Sequence, residues 1–131
     1  MPTLTPGMTA EISITVGEDD TAAAFASGAV PVLATPRLVG LMEEAAALAV
    51  QPALPPEQTT VGTRVEMRHL APTPIGMRVT ARAELVAIEG RRMRFRVEAR
   101  DAQELVADGT HERVVVDWSQ FLDRVAKKTG A

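Results

Sequence analysis

Thr35, Glu43 and His69 are the residues best suited to chemistry: a hydroxyl, a carboxylate and an imidazole, widely spaced along the chain. A carboxylate and an imidazole take up and release protons, and a hydroxyl beside them donates or positions. Thr35 reads as a helix N-cap whose oxygen accepts from a first-turn amide, with Pro36 following at the first helical position, where a missing N–H costs nothing. That place also puts the hydroxyl at the positive end of a helix, where developing negative charge is favoured. His69 falls at the end of a strand, on the same face as Val65 and Met67 and just before a proline turn. Such an imidazole is either a satisfied core residue or part of a site built where a strand meets a loop.

The helix that must position Thr35 and Glu43 runs from Ala34 to Val50 and stops at Gln51-Pro52, since a residue before proline is driven out of the helical region. At a 3.6-residue period Leu38, Leu41, Met42, Ala45 and Ala49 form one apolar stripe, which Val39, Ala46 and Val50 widen. Glu43 lies beside that widened edge, and Glu44 lies on the opposite flank. Periodicity leaves two readings of Glu43 open: a wet helix edge, or a carboxylate that meets donors from elsewhere in the fold.

Composition removes several classes. A chain of 131 residues has room for one core, so residues 1–131 are read as a single domain. A net charge of −3 and 3% aromatic residues argue against nucleic-acid binding. There is no cysteine, which excludes disulfides and thiolate chemistry, and two histidines without metal-ligand spacing give no metal site. No phosphate loop or Gly-x-Ser-x-Gly elbow is present, and no secretory signal or membrane-length apolar run is visible. The expectation is a cytoplasmic protein with no membrane partner.

Strand periodicity marks Met8–Val16, Thr59–Leu70, Met77–Ala87, Arg92–Arg100 and Glu104–Asp117, and an amphipathic helix closes the chain from Trp118 to Lys128. The stretch from Thr21 to Gly28 is ambiguous. In the second strand simple alternation puts Val61, Thr63, Val65, Met67 and His69 on one face and Thr60, Gly62, Arg64, Glu66 and Arg68 on the other. Gly62 inside a strand weakens it or marks a close approach. His111 and Arg113 share a face of the last strand that can be solvated, and Arg91, Arg92, Arg94 and Arg96 read as a solvated face. One strand, one long helix and then four strands in a meander give an α+β protein. An antiparallel sheet wrapped around one long central helix, with a short C-terminal helix, is the hotdog fold. Its exposed sheet edges favour pairing of two protomers as a homodimer.

Several segments carry a resemblance. Ala26-Ser27-Gly28, Ala34-Thr35, Val39-Gly40-Leu41-Met42-Glu43, Gly62-Thr63, His69, Val86 with Glu89-Gly90-Arg91-Arg92, and Gly109-Thr110-His111-Glu112-Arg113 resemble the fluoroacetyl-CoA thioesterase family of hotdog proteins. The similarity spans about Gly7 to Lys128. It implies hydrolysis of short acyl-CoA thioesters, with CoA as part of the substrate and no separate cofactor, at a site near a dimer interface. The spacing of Thr35, Glu43 and His69 matches the family's catalytic triad, and Gly62 and Arg113 match positions that line its acyl pocket. Where the family's best-known member has a phenylalanine lid, this chain has Ala26 and Ala29. The triad therefore carries over, and the preference for fluoroacetyl does not.

On that reading Glu43 is the general base or nucleophile, and Thr35 positions it or His69. His69 activates the attacking group and passes a proton to the departing thiolate, while the amides after Thr35 stabilise the oxyanion. The alternatives are a hotdog protein that binds an acyl-CoA or small ligand without hydrolysis, and a hotdog enoyl-CoA hydratase or dehydratase.

Overall fold

The computed structural model describes residues 3–130; Met1, Pro2 and Ala131 of the single domain read from the sequence lie outside them. Five strands form one antiparallel sheet: β1 (Thr9–Thr15), β2 (Gln58–His69), β3 (Arg78–Glu89), β4 (Arg92–Asp101) and β5 (Leu105–Asp117). The long helix α1 (Thr35–Val50) packs on one face, and α2 (Trp118–Lys127) follows β5. The spatial order is β1-β3-β4-β5-β2. Only β3, β4 and β5 form a meander, so the four-strand meander expected from the sequence is corrected at β2, which pairs with β5. The reason is that β1 occupies the free edge of β3, pairing from Thr9 opposite Glu84 to Thr15 opposite Arg78. That leaves β2 the far edge, and the Leu70–Met77 connection must cross back.

The core lies between α1 and the inner face of the sheet. Leu38, Leu41, Met42, Ala45, Ala46 and Val50 of α1 are buried against Val79, Ala81, Ala83 and Leu85 of β3 and Met93, Phe95 and Val97 of β4. Each large apolar side chain removed from water contributes about 1.5–3 kcal/mol, which outweighs the roughly 1 kcal/mol that Gly40 costs inside the helix. Small alanines opposite the helix let it sit close to the sheet. The other face is polar: Arg92, Arg94 and Arg96 are exposed, as their alternation with the core residues requires. The apolar residues Trp118, Leu122 and Val125 of α2 are also exposed.

Two irregularities matter for the site. Helix α1 is capped by Ala34, with Thr35 already inside its first turn and no side-chain cap bond, so the expected N-cap role of Thr35 is corrected. In β2 the register slips at Thr63, where Gly62 opposes Arg113 but Arg64 opposes Glu112. This bulge changes the parity of the strand. Before it, Thr60 and Gly62 share the face of buried Val115 and Arg113; after it, Val65, Met67 and His69 share the face of His111, Gly109 and Ala107.

Candidate active site

The start of α1 and the end of β2 bring two predicted residues together. Thr35 Oγ1 lies 2.7 Å from His69 Nδ1. Because Ala34 caps the helix, the Thr35 hydroxyl is free for the imidazole. His69 Nε2 is buried and has no hydrogen-bond partner among the described residues. Burial pushes the His69 pKa below its ordinary 6.5, with the Ala71 backbone opposing. Thr35 and His69 line an open groove of about 380 Å³ with Ala22, Ser27, Gly28, Val30 and Leu33. The loop over this groove contains Ala26, which adopts a left-handed φ of 53°, a conformation that costs a non-glycine residue about 1–2 kcal/mol. Ala26 and Ala29 are both exposed, and it is their neighbours Ser27, Gly28 and Val30 that line the groove.

A second group forms farther along α1. Glu43 is half-buried, and its Oε2 lies 3.8 Å from Arg113 Nη1. Gly62 faces the same place: a Cβ there would sit 2.7 Å from Glu43 Oε2 and 3.3 Å from Arg113 Nη1. Arg113 is 8% exposed. Its Nε donates to Thr60 Oγ1 at 2.8 Å and its Nη2 to Thr60 O at 3.0 Å, while Nη1 lies 3.2 Å from His111 Nε2. Burial lowers the Arg113 pKa and Glu43 raises it. The guanidinium is thus fixed by a strand neighbour on two sides and presents its remaining side to Glu43 and the gap at Gly62.

Within one protomer the structure therefore joins Thr35 to His69, and Glu43 to Gly62 and Arg113. The groups are separate: Thr35 and Glu43 are eight residues apart on one helix, about 12 Å along its axis. His69 and Gly62 are seven residues apart on one strand, about 23 Å at 3.3 Å per residue. His111 and Arg113 are buried and bonded, which corrects the solvated face read for them. Thr60 and His111 are the site residues that sequence reasoning missed. The signal was present for His111, which shares parity with Ala107, Gly109 and Val115, residues small or apolar enough to face a core. For Thr60 the bulge hid it, because strict alternation set it on the face opposite to His69. Among the described residues no group of three or more His, Cys, Asp or Glu could hold a metal ion, and no helix is long and apolar enough to cross a membrane.

A sheet wrapped on one helix, with a hydroxyl–imidazole pair at the helix start and a carboxylate farther along, has the form of a hotdog thioesterase. A hot-dog-like protein from Thermanaerovibrio acidaminovorans matches with a TM-score of 0.88 at 28% identity, covering 96% of this chain and 93% of that one. The chain belongs to the fluoroacetyl-CoA-specific thioesterase family, whose model matches residues 16–119. The fluoroacetyl-CoA thioesterase of Streptantibioticus cattleyicolor is 44% identical over 100 residues, 76% of this chain and 72% of its own length. A solved structure of the fluoroacetyl-CoA thioesterase FlK matches with a TM-score of 0.91 at 34% identity, covering 97% of this chain and 98% of that one.

Proposed function

We propose that the protein hydrolyses a short acyl-CoA thioester to the free acid and CoA, using Glu43, His69 and Thr35. The observation that carries this reading is the Thr35–His69 bond, which leaves a buried imidazole nitrogen without a partner beside an open groove. With Thr35 donating to Nδ1, His69 presents Nε2–H, and a thioester carbonyl oxygen would satisfy it. The Glu43 carboxylate takes a proton from water as the water oxygen bonds to the carbonyl carbon. Nε2–H and the first-turn amides of α1 hold the resulting oxyanion. Collapse breaks the C–S bond, and the proton on Glu43 goes to the departing thiolate. Since burial disfavours the imidazolium, His69 serves here as a neutral hydrogen-bond donor in place of the proton relay expected from the family resemblance.

This chemistry needs both groups at one carbonyl, and a single protomer holds them apart. The long edge strand β2 pairs with β5 on one side and with nothing on the other among the described residues. An unpaired edge of twelve residues is a template for another strand. Antiparallel pairing of β2 with its two-fold copy sets the Gly62 end of one protomer against the His69 end of the other. Each site of the homodimer then takes Thr35 and His69 from one protomer and Glu43, Gly62 and Arg113 from the other.

The test is thiol release from acetyl-, fluoroacetyl-, propionyl-, phenylacetyl- and longer acyl-CoA. At least one short thioester is hydrolysed, with little preference for fluoroacetyl, because exposed Ala26 and Ala29 place no ring over the groove. Glu43→Ala lowers kcat by roughly 10²–10⁴-fold while the protein stays folded. Wild-type turnover in that variant would remove Glu43 from the mechanism.

A further inference from the structure

We infer that His111 is a positioning residue: held as the neutral Nδ1–H tautomer, it aims the Arg113 guanidinium at the gap beside Gly62 and Glu43. This rests on the proposed hydrolysis for its consequence, but not for its geometry. His111 Nδ1 lies 2.8 Å from the carbonyl oxygen of Arg64, which only accepts, so Nδ1 carries the hydrogen. Its Nε2 lies 3.2 Å from Arg113 Nη1, which only donates, so Nε2 is bare. These two neighbours leave one tautomer and no place for a second proton. The ring is 1% exposed and tilted against Phe95, with centroids 6.1 Å apart, so it has no freedom to turn.

The two bonds of His111 do different work. The bond to Arg64 ties β5 to the residue just past the Thr63 bulge, the feature that turns Gly62 and His69 to one face. The bond to Arg113 completes a set in which Thr60 holds Nε and Nη2 and His111 holds Nη1. Without the His111 acceptor, Thr60 still holds the guanidinium, but the buried Nη1 has lost its neutral partner and the mobile Glu43 carboxylate, 3.8 Å away, is drawn toward it. A closed ion pair there would draw the carboxylate away from water. His111 Cε1 would lie 3.2 Å from a Cβ at position 62, so the imidazole is also a wall of the gap. The charged groups acting on it are Arg113, Glu43 and Glu112. Burial and Arg113 disfavour its charged form, and Arg64 O, Glu43 and Glu112 oppose them, with the balance toward the neutral ring.

Two substitutions separate these roles. In His111→Asn the amide nitrogen takes the place of Nδ1, which keeps the Arg64 bond and removes the acceptor for Arg113. In His111→Gln the longer side chain reaches the place of Nε2 and restores an acceptor there. We expect His111→Asn to fold but to melt several degrees below the wild type, because buried Arg113 Nη1 loses its acceptor, with kcat/KM for the best acyl-CoA lowered on the order of tenfold. His111→Gln recovers most of that loss. In the wild type, nitrogen-15 NMR of the two histidines shows His111 neutral with hydrogen on Nδ1 at neutral pH. A hydrogen on Nε2, or an imidazolium at neutral pH, overturns the inference. So does unchanged kcat/KM in His111→Asn, or a loss in both variants that only follows melting temperature. The spectrum reads the tautomer without turnover. An inactive protein with the expected tautomer would contradict the proposed hydrolysis and support the placement of His111.

Discussion

Gly62 is the residue where the absence of a side chain is most useful. Its missing Cβ leaves a gap bounded by Glu43, His111 and Arg113. In Gly62→Ala the added methyl would meet Glu43 Oε2 at 2.7 Å, closer than carbon and oxygen tolerate. That contact is the far end of a flexible side chain, so Glu43 moves aside, while His111 Cε1 at 3.2 Å and Arg113 Nη1 at 3.3 Å must each give by a few tenths of an ångström. Gly62→Ala is expected to fold and to melt within several degrees of the wild type while kcat/KM for short acyl-CoA falls on the order of 10²-fold, the scale of misplacing a reacting group by about 1 Å. Parallel melting and thiol-release measurements check this, and unchanged turnover would show that the gap takes no part. At this scale the sequence was partly legible. The helical wheel placed Glu43 at the edge of the buried stripe, and the structure finds it half-buried there. It could not show that Thr35 sits one position inside the helix, because capping depends on backbone angles that neighbouring residues set.

At the scale of elements, α1 and all five strands were legible because apolar periodicity encodes which face each one buries. What alternation could not reveal was the bulge. A strict period of two, run through Thr63, put Gly62 and His69 on opposite faces, whereas one extra residue puts both toward the helix. This makes the position of a deletion decisive. Removing Thr63 restores regular alternation, with Gly62 and Val65 still inward, so the variant should fold and melt within a few degrees of the wild type. Removing Glu66 turns Met67 and His69 outward and Arg68 inward, and should lower the melting temperature far more. Equal melting of the two deletions would mean that the parity of β2 is not set at Thr63. The exchange of β2 to the far side of β5 was also out of reach, since local pattern says nothing about which edge a strand joins.

The whole molecule poses the remaining question. One protomer carries a hydroxyl–imidazole pair at one end of β2 and a carboxylate–guanidinium pair near the other, with the edge of β2 between them unpaired among the described residues. If two copies join along that edge, two variants that are dead for different reasons must rescue each other. A dimer of one Glu43→Ala and one His69→Asn protomer has one site with both lesions and one site with neither. Random mixing makes half the dimers mixed, so about a quarter of wild-type activity should return. The most direct test is therefore thiol release after unfolding and refolding the two inactive variants together. Recovery toward that level is predicted; a mixture as inactive as its components, with mixed dimers present, would contradict a site shared between protomers.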